Sequence, residues 1–164
     1  MTWREFILEV YEKAKFEPGI LARPDFRVPA ASDEIDKLES QCHARLPTFL
    51  RGALLESNGV MQLLKIDDRD WFEDLWLLYP VEQMLNDNLI YRRDSELGHY
   101  AGPFQDLIVF ANAGVDGILF AHSVMDGLAA SEVVAWYPAE LELRVLAPNL
   151  RDFLAGYLTQ GIMI

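Results

Sequence analysis

The spacing of apolar residues divides this chain into helices and strands. In residues 2–16, Trp3, Phe6, Ile7, Val10, Tyr11 and Ala14 recur at helical spacing, separated by Arg4, Glu5, Glu9, Glu12, Lys13 and Lys15. This pattern predicts an amphipathic helix whose apolar stripe either packs on the rest of the domain or meets a partner. Pro18 to Pro29 holds three prolines and one glycine with no periodicity, and reads as an ordered connector. Ser32 is placed to cap a helix carrying Ile35, Leu38 and Cys42 on one face, with Asp33, Glu34 and Asp36 on its dipole-positive first turn. That helix should end near His43. Leu46-Pro47 restarts the chain, because proline suits a first helical turn, and Phe49, Leu50, Ala53 and Leu54 follow as a stripe. Asn58-Gly59 stops it, since both residues tolerate the left-handed conformation.

Beyond Gly59 the period shortens. Met61–Ile66 and Leu75–Tyr79 read as strands with IDDRDWFED between them. Pro80 opens a helix through Tyr91 on Val81, Met84, Leu85 and Leu89, and Arg92 to Pro103 reads as a long polar loop. Leu107–Ala111 and Ile118–His122 form a hairpin around Gly114 to Gly117. Glu132–Tyr137 and Glu140–Leu146 flank Pro138, and the first is nearly continuous in apolar residues, the mark of a central strand. Pro148 begins a closing helix on Leu150, Phe153, Leu154, Tyr157 and Leu158, stopped at Gly161. Terminal helices with strands clustered between them predict an α+β fold: a twisted, mostly antiparallel sheet with helices packed on one side. Leu46, Phe49, Leu54 and Phe153 are expected in one core. The chain reads as a single domain over residues 1–164, with a helix and proline-containing connector in 1–31 and the main body in 32–164.

The sequence of an acidic-capped helix, Leu-Pro, an aromatic-apolar helix and Asn-Gly, SDEIDKLESQCHARLPTFLRGALLESNGV, resembles the opening of the SUKH superfamily. That group contains the fungal cell-wall-synthesis regulators and many bacterial immunity proteins. FANAGVDGILFAHS (Phe110–Ser123) is similar to the family's strand, glycine turn and strand, and VVAWYPAELELRVLAPNLRDFLAGYL (Val133–Leu158) to its final strands and closing helix. The resemblance runs from Ser32 onward. Between Leu63 and Phe104 no family motif is found.

Charge narrows the choice of partners. The net charge is −12, with five basic and five acidic residues in 1–31, so the whole excess lies from Ser32 onward. Such a chain repels nucleic acid and anionic membranes and favours a basic partner, although acidity also serves solubility alone. The single cysteine, Cys42, excludes an internal disulfide and any multi-cysteine metal site, and predicts a reducing compartment. The N-terminus lacks the pattern of a secretory signal and no apolar run is long enough to span a membrane, so the expected location is cytoplasmic.

Little in the sequence points to catalysis. His43, His99 and His122 are scattered, and Cys42 and His43, as neighbours on a helix, face different ways. His122, Ser123 and Asp126 are too close in sequence to converge as a triad, and there is no nucleophile elbow, phosphate loop or dinucleotide fingerprint. No metal or cofactor is expected. The one local concentration of charge is Asp67, Asp68, Asp70, Glu73 and Asp74 around Trp71 and Phe72, opposed in sequence only by Arg69. Three readings fit this segment: a solvated loop with its aromatics folded inward, a surface recognising a basic protein, or a calcium loop. The last lacks the glycine and distal glutamate of an EF-hand. Asp67, Asp68, Asp70, Trp71, Glu73 and Asp74 are therefore the candidate partner-binding residues. The resemblance implies a non-catalytic protein-binding module, an immunity protein that neutralises a toxin by direct binding. A regulator or scaffold of the cell-wall type and an enzyme with an unrecognised site are the alternatives.

Overall fold

The computed structural model describes residues 1–164. Helix α1 (Trp3–Lys13) opens with a capping box: the Thr2 hydroxyl accepts the Glu5 N–H at 3.1 Å, and the Glu5 carboxylate accepts the Thr2 N–H at 2.7 Å. Its apolar stripe faces inward, with Trp3, Ile7 and Val10 buried. The proline-containing connector holds a strand, β1 (Ile20–Phe26), which the composition did not suggest. It lies at a sheet edge, where Pro24 can sit without removing an interior ladder bond.

Helix α2 (Ser32–Gln41) starts one residue earlier than expected. Ala31 occupies the cap position and donates its N–H to the Glu34 carboxylate at 2.9 Å. Ala30, buried and bonded through its N–H to the Leu54 carbonyl at 3.0 Å, holds the chain there. The Ser32 hydroxyl instead accepts from Arg51 at 3.1 Å, and Arg51 also pairs with Asp36 and Glu39, tying α2 to helix α3 (Thr48–Glu56). Gly59 has a φ of +96°, and a Cβ there would meet the Pro80 ring at 3.0 Å. Asn58 accepts the Val81 N–H at 2.8 Å, so the turn residue caps a helix more than twenty positions away.

Strand β2 (Val60–Ile66) pairs antiparallel with β1 on one side and with β3 (Phe72–Leu78) on the other, in a three-stranded sheet ordered β1-β2-β3. Strand β3 begins three residues earlier than its apolar density suggested, because Phe72 and Glu73 pair with Leu64 and Leu63. Helix α4 (Val81–Glu96) runs past Tyr91 through the stretch read as polar loop. Arg92 keeps the helical spacing of Val81, Met84, Leu85 and Asn88 and is buried, its guanidinium donating to the carbonyls of Cys42, Phe104 and Leu107.

After a 3-10 turn at Phe104–Asp106 come β4 (Leu107–Asn112), β5 (Leu119–Met125), the short β6 (Leu128–Ala129), β7 (Val133–Tyr137) and β8 (Glu142–Ala147), closed by helix α5 (Leu150–Leu158). They form a second antiparallel sheet, ordered β4-β5-β7-β8 with β6 on β5. The α+β class therefore holds, with the strands shared between two sheets. The sheets meet where the Tyr79 N–H donates to the Phe110 carbonyl at 2.8 Å. All five residues of β7 are buried, as its apolar run implied.

One core joins these elements. Phe153 of α5 lies against Phe120, Phe110 and Tyr157 at ring-centroid distances of 4.7, 6.0 and 5.4 Å, while on the opposite face of the sheet Trp136 meets Phe104 at 6.1 Å. Leu46, Leu54 and Phe153 belong to it. Phe49 does not: it is 47% exposed and lies edge-on to Trp3, because α3 turns Leu50, Ala53 and Leu54 inward and leaves its first turn at the rim. Phe153→Ala should cost ~3 to 5 kcal/mol in denaturant melts. Deleting residues 1–16 removes Trp3, Ile7 and Val10 from the core, and should lower Tm by ~10 °C or more.

Candidate functional site

The acidic segment is the β2–β3 hairpin turn and the first residues of β3. Asp67 takes a φ of 49° and donates its N–H to the Gly19 carbonyl at 2.7 Å, while Arg69 donates its N–H to Ile66 at 3.1 Å. Gly19 is required at that contact: its φ is +83°, and a Cβ would lie 2.5 Å from the Asp67 carboxylate. Asp67, Asp68 and Asp70 project from the turn, exposed and without an ion-pair partner in the chain.

The other three candidates are already engaged. Trp71 is half-buried beneath the Arg23 guanidinium, 4.3 Å from its ring centroid. Glu73 pairs with Arg27 at 3.0 Å, and Arg27 also covers Trp76 at 5.2 Å and reaches Asp25 at 3.4 Å. Asp74 accepts from the Gln62 amide at 2.8 Å, and the Gln62 carbonyl accepts the Tyr11 hydroxyl at 2.7 Å. This relay ties α1 to β2 and β3. Burial, with the Asp74 charge adding to it, pushes the Tyr11 hydroxyl far above its ordinary range. Asp74 thus supports the fold, while Asp67, Asp68 and Asp70 form the free tip.

Sequence reasoning missed Arg23, Arg27 and Trp76. The signal was present: Ile20, Ala22, Pro24 and Phe26 alternate with Leu21, Arg23, Asp25 and Arg27, a strand period interrupted for the eye by its prolines. With β1 in place, the acidic segment faces two arginines besides Arg69, and its unbalanced charge contracts to the turn.

The groups considered for catalysis lie apart. No three His, Cys, Asp or Glu residues are grouped to hold a metal ion. Cys42 is buried, and burial raises its thiol pKa, the opposite of what a nucleophile needs. His122 is buried against Phe110, with Nδ1 3.0 Å from the Glu132 carbonyl, while Asp126 is exposed in the β5–β6 turn.

A model of the SMI1 / KNR4 family (SUKH-1) matches residues 29–156, well over half of the chain. The chain belongs to the SMI1 / KNR4 family. Helix α1 and strand β1 lie outside the matched residues, so the arginines that cover Trp71 and Trp76 come from a part of the chain the family model does not describe. The comparison with curated proteins found no match. No helix is long and apolar enough to cross a membrane.

His122 gives the fold a pH dependence. Burial lowers its pKa from 6.5 to about 4, so the native chain keeps it neutral where the unfolded chain takes up a proton. The contribution is fully present above pH 6.5 and is lost as pH falls toward 4, by ~1.4 kcal/mol per unit and roughly 3 kcal/mol in all. Denaturant melts between pH 7 and 4.5 should show a shallower decline for His122→Gln than for the parent.

Proposed function

We propose that this chain is a non-catalytic protein-binding module of the immunity type within its family, neutralising a cognate toxin, such as a nuclease, in the cytoplasm by direct binding. Family membership supports an immunity or SMI1/KNR4-like regulatory role at that level. The observation that carries the finer reading is the hairpin tip, where Asp67, Asp68 and Asp70 stand exposed, outnumber Arg69 between them and form no ion pair within the chain. Beside them lie the half-buried Trp71 and Phe72, the latter 42% exposed. Free carboxylates steer a basic partner, and adjacent aromatic surface gives contact area once it has docked. The net charge of −12 extends the same field over the molecule, and a nuclease's cationic cleft is the complementary surface. The same sign of charge argues against nucleic acid or an anionic membrane as the partner.

Asp68→Lys with Asp70→Lys isolates the steering charge. Asp67, with its positive φ, and Asp74, with its Gln62 bond, are left intact because both serve the fold. After a pull-down identifies the partner, association at low salt should slow by roughly tenfold or more, dissociation should change less, and added salt should narrow the gap between variant and parent. Melts should coincide. Equal association rates would remove the tip from the interface, and a partner without toxicity would place the chain with the regulators of the family.

A further inference from the structure

The two edges of the larger sheet are treated differently. On β4 the outer backbone groups are taken: Asn88 bonds both the N–H and the carbonyl of Val109 at 2.8 Å, Tyr79 bonds Phe110, and Arg92 bonds Leu107. On β8 every backbone hydrogen bond runs to β7, and neither a side chain nor a loop reaches the outward groups. The strand is also apolar where it is open. Leu143 and Val145 share the face of Trp136 and Val134, and Val145 is 64% exposed. Leu141, 62% exposed, precedes them and, with Leu143 and Trp136, lines a shallow groove closed on its other side by Ala101, Gly102 and Pro103. An open edge with exposed apolar side chains is a template for another strand, and proteins that must stay single protect such edges with lysine, proline or a bulge. Residues 142–147 carry neither lysine nor proline, and the one bulge, at Leu146, lies at the far end of the strand, beyond Glu142 to Val145.

We propose that β8 pairs antiparallel with β8 of a second copy of this chain, about a two-fold axis passing beside Leu143, joining the two larger sheets into one. The charges in the strand select this partner and this register. Glu142 and Arg144 lie on one face, already paired at 3.0 Å within the strand. Antiparallel pairing centred on Leu143 sets Glu142 of each copy opposite Arg144 of the other and Leu143 opposite Leu143, with Val145 beside the turn residue Leu141, whose φ of 55° places it just outside the strand. The four charges then alternate across the join, and the apolar residues meet on the other face. Centring the pairing on Arg144 instead opposes like charges. A two-fold contact needs a self-complementary patch, and here the complement is written within three residues.

Sedimentation velocity on the full chain at physiological ionic strength, across a micromolar concentration series, reads the equilibrium directly. The parent should sediment as a dimer that dissociates on dilution. Glu142→Arg sets arginine against arginine across the join and should weaken association about tenfold or more, and adding Arg144→Glu, which swaps the pair, should restore it. Val145→Lys, at an exposed position, should also give a monomer. Matching melts confirm that each variant folds. A parent that stays monomeric throughout the series overturns the proposal. A dimer indifferent to Glu142→Arg, or one that the double swap does not restore, also overturns it, because the contact then lies elsewhere.

Discussion

The open side of β4 is the constraint around which this fold is arranged. A buried strand cannot leave its N–H and carbonyl groups unpaired, because each such group forfeits hydrogen bonds to water and gains none. No further strand runs along most of this side. Asn88 meets Val109 at two points, as a neighbouring strand would, and Arg92 reaches Leu107, Phe104 and Cys42. The buried guanidinium has no carboxylate partner. It is held by three carbonyls, one of which, that of Cys42, lies at the dipole-negative end of α2, so the guanidinium caps that helix. Two side chains of α4 thereby place α2, α4 and the 3-10 turn against the same strand. The single bond from Tyr79 to Phe110 then brings the smaller sheet alongside.

The candidate recognition surface depends on that arrangement at one remove. Once β3 is held beside β4, the β2–β3 hairpin extends from the body, and β1 pairs along β2 and brings Arg23 and Arg27 over Trp71 and Trp76. The arginines neutralise the strand portion of the acidic segment and brace its tryptophans. What is left uncompensated is the turn itself, Asp67, Asp68 and Asp70. The Tyr11–Gln62–Asp74 relay fixes the base of the hairpin to α1, so the charges stand on a supported hairpin.

Much of this was legible in the residues. The five helices follow from apolar spacing, and the central place of β7 from its unbroken apolar run. The family follows from the order of short motifs between Ser32 and Leu158, since each motif marks a turn or cap that only a few residues satisfy. The acidic hairpin was visible as a charge run with two aromatics inside it. Capping from a distance was not: nothing local in Asn58-Gly59 shows that the asparagine will serve the first turn of α4.

What the chain's own pattern determined, then, is which residues turn inward, because burial of an apolar stripe is decided by spacing along one element. What only the tertiary structure decided is which polar residues neutralise one another. Arg92 reads as a surface charge until three carbonyls converge on it, and β1 reads as a connector until β2 supplies its ladder. Glu73 and Asp74 look like Asp68 and Asp70 until Arg27 and Gln62 reach them across strands. Hydrogen bonds and ion pairs join groups distant in sequence, so their partners are set by how the strands register, which local pattern does not encode.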